Sequence, residues 1–440
     1  MQKLQKNLLN SIYAFAAFVV LSPVYSFAAD SDLAIAWDNA LASSSFSPAP
    51  NTLGYALLHG TPTIDARYRF EHVDQNPFAK DADASTLRTR LGYTTGLFNG
   101  FDARVEWQNI HEIGEDNYNN GVNGKTQFPT VTDPQSNRLN QLYLGYHDKT
   151  VTKSDIILGR QVISLDNQRL ISESDWRQSN QVFDAISVTN NYFDHAKLFY
   201  VYINQVNRSV TNRSPVGIYE SNSHLINGSY EFAPALKVTA YTYLLDFGHD
   251  APTSSDATYG SRITGSYPVS DTVTLAYAAE AAHQTDYGSN IANISENYYL
   301  LEPSMSAYGF TLKPGYEILQ GNGATAFQTP LSTSHTFGGW TDKFFPTPAN
   351  GLDHSYVNVS YKVPFGDEYL KGTQLTAVYH NWDVNHGSSA KYGTEWDWMI
   401  SQTFFKHYEL GLEAANYKAN SANPTTQDTK KAFVWLRVKY

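Results

Sequence analysis

From Ile64 to Glu71 the chain alternates without a break, with Ile64, Ala66, Tyr68 and Phe70 on one face and Asp65, Arg67, Arg69 and Glu71 on the other. Successive side chains of a strand point to opposite sides, so a period of two describes a strand with one oily face and one ionic face. The pattern returns with Leu87, Leu91, Tyr93 and Leu97 against Arg88 and Arg90, then with Phe101, Ala103, Val105 and Trp107 against Asp102, Arg104, Glu106 and Gln108. The last ten residues repeat it, with Ala432, Val434, Leu436, Val438 and Tyr440 on one side and Lys431, Phe433, Trp435, Arg437 and Lys439 on the other. Such strands belong in a sheet whose ionic side is wet, because Arg or Lys facing lipid at mid-depth costs about 2–4 kcal/mol.

The first residues decide between a soluble sheet and a membrane one. Lys3 and Lys6 precede an apolar run from about Ile12 to Val20, and Ser26-Phe27-Ala28 offers small residues at the cleavage positions. That is the layout of a secretory signal peptide over 1–28, followed by an N-terminal periplasmic segment over 29–61. The alternative, a membrane-anchor helix, needs about 20 apolar residues and this run is shorter. No later run is long enough for a membrane helix, and the mean hydropathy is −0.40. A closed barrel still crosses a bilayer with such a composition, because lipid-facing and lumen-facing residues alternate and average out. The 31 Tyr, 23 Phe and 8 Trp suit the aromatic girdles of such a barrel. A secretion signal at one end and a strand ending on an aromatic at the other resemble an outer-membrane barrel and its signal for the barrel-assembly machinery. A soluble β-sandwich or propeller would leave that combination unexplained.

Cysteine is absent, which removes disulfides and Cys-ligated metals, and neither a metal nor a cofactor is expected. The formal charge of −11 becomes −13 when Lys3 and Lys6 leave with the signal, which argues against nucleic acid as a partner.

About eighteen amphipathic strands can be traced. The windows of the first half are 62–73, 84–98, 99–112, 137–149, 153–163, 181–190, 192–205, 222–233 and 235–247. Those of the second are 255–268, 270–284, 294–302, 305–320, 353–364, 371–382, 390–403, 405–418 and 428–440. Every second link is short, with Asn99-Gly100, Asn190-Asn191, Ala233-Pro234, Pro268-Val269 and Phe405-Lys406 at or beside tight turns. Short periplasmic turns alternating with longer outer loops are the layout of an all-β transmembrane antiparallel β-barrel, here over 62–440, with both ends in the periplasm. Two outer loops, Glu112 to Asn137 and Gly321 to Leu352, exceed the usual length, and either folds over or into the mouth or stays in solvent.

Nine of the thirteen arginines lie at or before Arg177, which gathers guanidinium groups on one side of the wall. A guanidinium presents a planar fork of donors suited to carboxylates, and a row of such forks suits an anionic sugar chain. The plainer reading pairs these arginines with Asp65, Glu71, Asp102 and Glu106 across neighbouring strands. The two are compatible, because paired lumen charges also set the field that an ion crosses.

The segments Leu158-Gly159-Arg160-Gln161, Asp166-Asn167-Gln168-Arg169, Asp175-Trp176-Arg177-Gln178 and Phe183-Asp184-Ala185 resemble the alginate-export porin family. So do Ala326-Phe327-Gln328-Thr329-Pro330, Gly339-Trp340-Thr341-Asp342-Lys343-Phe344 and Pro348-Ala349-Asn350-Gly351-Leu352. The resemblance implies an eighteen-stranded monomeric outer-membrane barrel with an arginine-lined constriction that conducts an anionic polyuronate, partly occluded by an outer loop and a periplasmic turn. The pore-lining candidates by position and type are Arg67, Arg69, Arg88, Arg90, Arg104, Arg160, Arg169 and Arg177. The last periplasmic turn, around Phe404 to His407, is short, which moves any gating to the outer loops.

The partners that follow are outer-membrane lipid and lipopolysaccharide, the barrel-assembly machinery during biogenesis, and an anionic polysaccharide such as alginate, its fragments or small anions. A general or small-anion and sugar uptake porin is the alternative, since fold likeness does not set the cargo. A barrel-embedded hydrolase needs a nucleophile or activated water with His and a carboxylate, and the thirteen His residues show no catalytic spacing. A sealed adhesive barrel would need an inserted loop, because eighteen strands leave an aqueous lumen.

Overall fold

The computed structural model describes residues 49–387, 390–423 and 426–440, so the expected signal peptide and most of the segment 29–61 lie outside the described residues. A short helix, α1 (Leu53–Leu58), precedes eighteen strands. They are β1 (Thr61–Gln75), β2 (Ala82–Thr94), β3 (Phe101–Asn117), β4 (Ser136–Asp148), β5 (Ser154–Gln161), β6 (Val182–Asn190), β7 (Ala196–Asn207), β8 (Ile218–Ala233) and β9 (Leu236–Leu245). The second half holds β10 (Asp256–Ser270), β11 (Val273–Asp286), β12 (Ser295–Ala307), β13 (Phe310–Leu319), β14 (Leu352–Lys362), β15 (Gln374–Asp383), β16 (Lys391–Phe404), β17 (Tyr408–Ala419) and β18 (Thr429–Lys439). Each pairs antiparallel with its chain neighbours, and β1 pairs with β18 from Asp65↔Lys439 to Gln75↔Thr429. The sheet therefore closes on itself and leaves no edge of unpaired backbone, which the bilayer interior requires.

Three local expectations are corrected. The strand expected to end at residue 302 continues through Pro303 to Ala307, because one missing donor does not undo its pairing with Val273–Tyr277. The turn falls instead at Tyr308-Gly309, both in the left-handed region. Pro268-Val269 is not the turn but part of β10 at a register shift, and the reversal comes at 271–272. Finally, β3 runs on to Asn117, which shortens the loop expected from Glu112.

The outer face carries exposed Leu91, Phe101, Val105, Trp107, Leu142, Leu144, Val357, Val359 and Leu375, alternating with inward polar residues as expected for a lipid-facing wall. Ile64 is exposed there, whereas Tyr68 and Phe70 are buried on the same face, with Tyr68 hydrogen-bonded to Ser85 of β2.

The lumen is not an empty cylinder. The loops 162–181 and 320–351 both fold inside and pair with each other through Ile171 and Leu331, with Ser172 N–H donating to the Leu331 carbonyl at 2.9 Å. Ile171, Phe327, Leu331 and Phe344 of these loops join inward residues such as Tyr298, Leu319, Trp382 and Tyr417 in one buried apolar cluster. Gly339 makes one close approach possible: its φ is +72°, and an added Cβ would stand 2.7 Å from Trp382 and 2.8 Å from Glu395.

Val359 tests the outer face, as an exposed residue in the middle of β14. Val359→Arg is expected to lower the unfolding free energy in bilayers by about 2–4 kcal/mol, the mid-depth charge penalty. A denaturant titration giving no change would place this residue away from lipid.

Candidate functional site

Midway along the wall, the inward faces of three adjoining strands concentrate charge. β1 contributes Asp65, Arg67, Arg69 and Glu71, β2 contributes Arg88 and Arg90, and β18 contributes Lys431 and Arg437. Period two puts them on one side, and antiparallel pairing puts them side by side, as in Arg67↔Arg88 and Arg67↔Arg437. So many like charges need acceptors, and the loop 162–181 brings them.

Asp65 accepts from Arg437 at 2.9 and 2.6 Å and from Arg88 at 2.7 Å. Asp175 of the loop pairs with Arg88 at 2.9 Å and Arg90 at 2.8 Å. Glu71 takes Arg69 at 3.0 Å and Arg177 at 3.2 Å, while Asp342 of the loop 320–351 takes Arg177 and Lys431, both at 2.9 Å. Arg69 also pairs with Asp133 and lies over the Trp176 ring. Arg67 has no carboxylate partner among the described residues. It donates to the backbone carbonyls of Asp175 (3.0 Å), Trp176 (3.1 Å) and Arg177 (2.5 Å) and to the Gln178 side chain (3.1 Å).

Six cations (Arg69, Arg88, Arg90, Arg177, Lys431 and Arg437) thus share five carboxylates (Asp65, Glu71, Asp133, Asp175 and Asp342), and Arg67 adds a seventh charge held by carbonyls and Gln178. Of this set Arg67, Arg69, Arg437 and Asp175 line a cavity of about 390 Å³, together with Trp176, Trp435, Thr336 and two further carboxylates, Glu173 and Glu409. Burial opposes the charge of Asp175, yet Arg88, Arg90 and Arg67 hold its carboxyl far below the usual range. Asp342 is likewise held ionised against burial by Lys431, His335 and Arg177. Glu173, at the cavity edge, is pushed up by burial and by Asp175.

The structure therefore brings together Arg67, Arg69, Arg88, Arg90 and Arg177 of the expected residues and leaves three apart. Arg104 pairs with Glu106 on β3, and Arg169 forms a bidentate pair with Glu317 of β13 on another part of the wall, at 2.6 and 3.2 Å. Arg160 is a correction: it pairs across from Leu142 and shares a face with Leu158 and Ile186, the outer side, where it forms a fork with Asp184 at 2.6 and 2.7 Å. It is the penultimate residue of β5 and pairs with the middle of β4, so the fork to Asp184 is what offsets its charge on that side.

Arg437 was missed, although it shares the inward face of the last strand. Asp175, Trp176 and Asp342 carry their roles in loops, where periodicity says nothing. Nor was the loop 162–181 expected to fold inward.

His335, on α2 (Ser334–Phe337) in the loop 320–351, stacks on Trp176 with ring centres 3.9 Å apart. Its Nδ1 lies 3.3 Å from Asp342 and its Nε2 3.0 Å from Glu413 of β17. Burial alone would lower its pKa, but Glu413 and Asp342 carry it up to about 8. The folded pKa exceeds the ordinary 6.5, so the stabilisation is full below about pH 6.5 and fades as pH rises through about 8. We predict a loss of about 2 kcal/mol of folding stability across that window, from 1.36 kcal/mol per unit. Unfolding titrations of the wild type and His335→Gln check it, and an equal pH response in both would remove His335 as its source.

Several solved structures have a similar fold. Acinetobacter baumannii OccAB2 matches with a TM-score of 0.67 at 17% identity, covering 86% of this chain and 98% of that one. Pseudomonas aeruginosa OccK5 (OpdH) gives 0.66 at 12%, covering 86% and 97%, and the P. aeruginosa outer membrane protein opdK gives 0.66 at 12%, covering 86% and 98%. No curated protein matches in sequence. A family model for alginate export matches residues 61–293. Its span and the closed eighteen-stranded wall point to transport rather than catalysis and make this an outer-membrane porin channel: the chain belongs to the alginate export family.

Proposed function

We propose that this barrel is a passive channel with anion preference, serving an acidic polysaccharide such as alginate or its fragments. The observation that carries the reading is the cluster of seven cations and five carboxylates on the inward wall, three of whose guanidinium groups, Arg67, Arg69 and Arg437, line a cavity in the lumen beside Glu173, Asp175 and Glu409. Fixed guanidinium groups lower the energy of a passing carboxylate, and their partial pairing keeps it from being held too tightly to leave. Trp176 and Trp435 at the same cavity add flat apolar faces. The two inward loops favour a second reading, uptake of small anions or sugars, because they narrow the lumen that a polymer must thread.

In this reading the protein works as a single barrel without cofactor, metal or catalytic role. Residues 1–28 are removed as a signal, 29–61 stay in the periplasm, the assembly machinery inserts the barrel, and lipopolysaccharide surrounds its outer half.

Replacing Arg88 and Arg90 with Ala removes two cations and leaves Asp175 paired with Arg437 alone, at 3.5 Å. The balance becomes five against five, so the reversal potential in planar bilayers under a salt gradient is expected to move toward cations. An unchanged value would show that these arginines do not set ion preference. Polyuronate added to one side is expected to interrupt the current of the wild type, and current blocked only by small carboxylates would favour the second reading.

A further inference from the structure

The cavity beside the arginine cluster is lined by three carboxylates, and they are not compensated alike. Asp175 pairs with Arg88 at 2.9 Å, Arg90 at 2.8 Å and Arg437 at 3.5 Å. Glu409 of β17 stands opposite Arg437 of β18 in the strand register and accepts the Trp435 indole N–H at 2.7 Å. Glu173 differs from both. Among the described residues no lysine or arginine pairs with its side chain, which accepts a hydrogen bond from the Asn180 amide at 3.3 Å.

Asn180 is itself held by guanidinium groups. Its Oδ1 accepts from Arg90 at 2.9 Å and from Arg138 of β4 at 3.3 Å, which turns its Nδ2 to Glu173. An Asn side chain offers both an acceptor and donors, so the amide, not the Glu173 carboxylate, occupies the place beside those cations. The backbone of the loop fixes the residue where it is: the Glu173 N–H donates to the Ser164 hydroxyl at 3.0 Å, and its carbonyl accepts the Gln181 N–H at 2.5 Å. Glu173 therefore reaches the cavity without an ion pair to hold it there.

We propose that Glu173 is a specificity-determining residue of this channel, a carboxylate that opposes anions at the cavity while ionised and admits them once protonated. Ionised, it sets a charge of the cargo's own sign beside Arg67 and Arg437, where a carboxylate would otherwise bind. Protonated, it loses that charge and offers an O–H donor to a carboxylate oxygen. Burial and Asp175, two residues along the loop, raise its pKa against the pull of Arg90 and Arg88 from β2. The other charged groups at the cavity are Arg67 and Arg69 of β1, Glu409 of β17 and Arg437 of β18, and the loop 320–351 adds the hydroxyls of Thr333 and Thr336, with His335 stacked on Trp176. A carboxyl raised in this way gives up its charge before ordinary carboxylates do, so anion preference rises as the pH falls from neutrality. The inference rests on the channel reading, but its readout is separate: the wild type's own reversal potential tests anion preference, whereas the difference between wild type and variant tests Glu173.

The test is the reversal potential in planar bilayers under a salt gradient for the wild type, Glu173→Gln and Glu173→Asp. At neutral pH Glu173→Gln, which keeps an acceptor for Asn180, is expected to raise the anion-to-cation permeability ratio about fivefold, the scale of one partly exposed charge interaction. Glu173→Asp keeps the charge and is expected to stay near the wild type. On acidification the wild type is expected to climb to the value of Glu173→Gln, so that the gap between them closes. Equal ratios for these two at neutral pH, or a gap that persists in acid, would overturn the proposal. A Glu173→Asp ratio that moves with Glu173→Gln would do the same, since it would trace the change to the seating of the loop and not to charge. Wild-type recordings also decide alone, because a ratio that does not rise on acidification overturns the proposal whether or not the variants fold.

Discussion

A guanidinium enclosed inside a protein must find acceptors for its five N–H groups, and Arg67 finds them in the backbone of a loop. Its donors meet three consecutive carbonyls, Asp175 to Arg177, and the Gln178 side chain. That contact seats the loop 162–181 in the lumen, and the seating delivers Asp175 to Arg88 and Arg90 and Arg177 to Glu71 and Asp342. The loop 320–351 follows, because it pairs with the first loop at Leu331 and stacks His335 on Trp176. The constriction is thus wall charge neutralised by loop polarity.

The same account reconciles two readings of the arginines. They do hold the wall together through carboxylates across neighbouring strands, as with Asp65 between β1, β2 and β18. Yet Arg67 takes no carboxylate among the described residues, and in the channel proposed above its charge sets part of the field that an ion crosses. In that proposal selectivity and cohesion come from one set of side chains, and a change to either affects both.

Much of the wall was legible because alternation is local. A residue's face follows from its parity along a strand, and hence the inward places of Arg67, Arg69, Arg88 and Arg90 were readable, as was that of Arg437 had the last strand been treated like the first. Residue type misleads where parity does not: Arg160 is outward, its charge forked onto Asp184 of the next strand. Proline misleads too, since Pro303 continues a strand that its residue type suggested ending.

Residue order alone determined a barrel of alternating faces, the side on which most arginines would lie, and the alternation of short turns with longer loops, because all of these depend on neighbours two residues apart or on local turn chemistry. Only the tertiary structure decided which loops enter the lumen and which carboxylate each arginine meets. Arg169 and Glu317 are 148 residues apart in the chain, and closing the sheet brings such distant groups within hydrogen-bonding distance. Contacts of that kind depend on strand register and loop path together, and no periodicity records them.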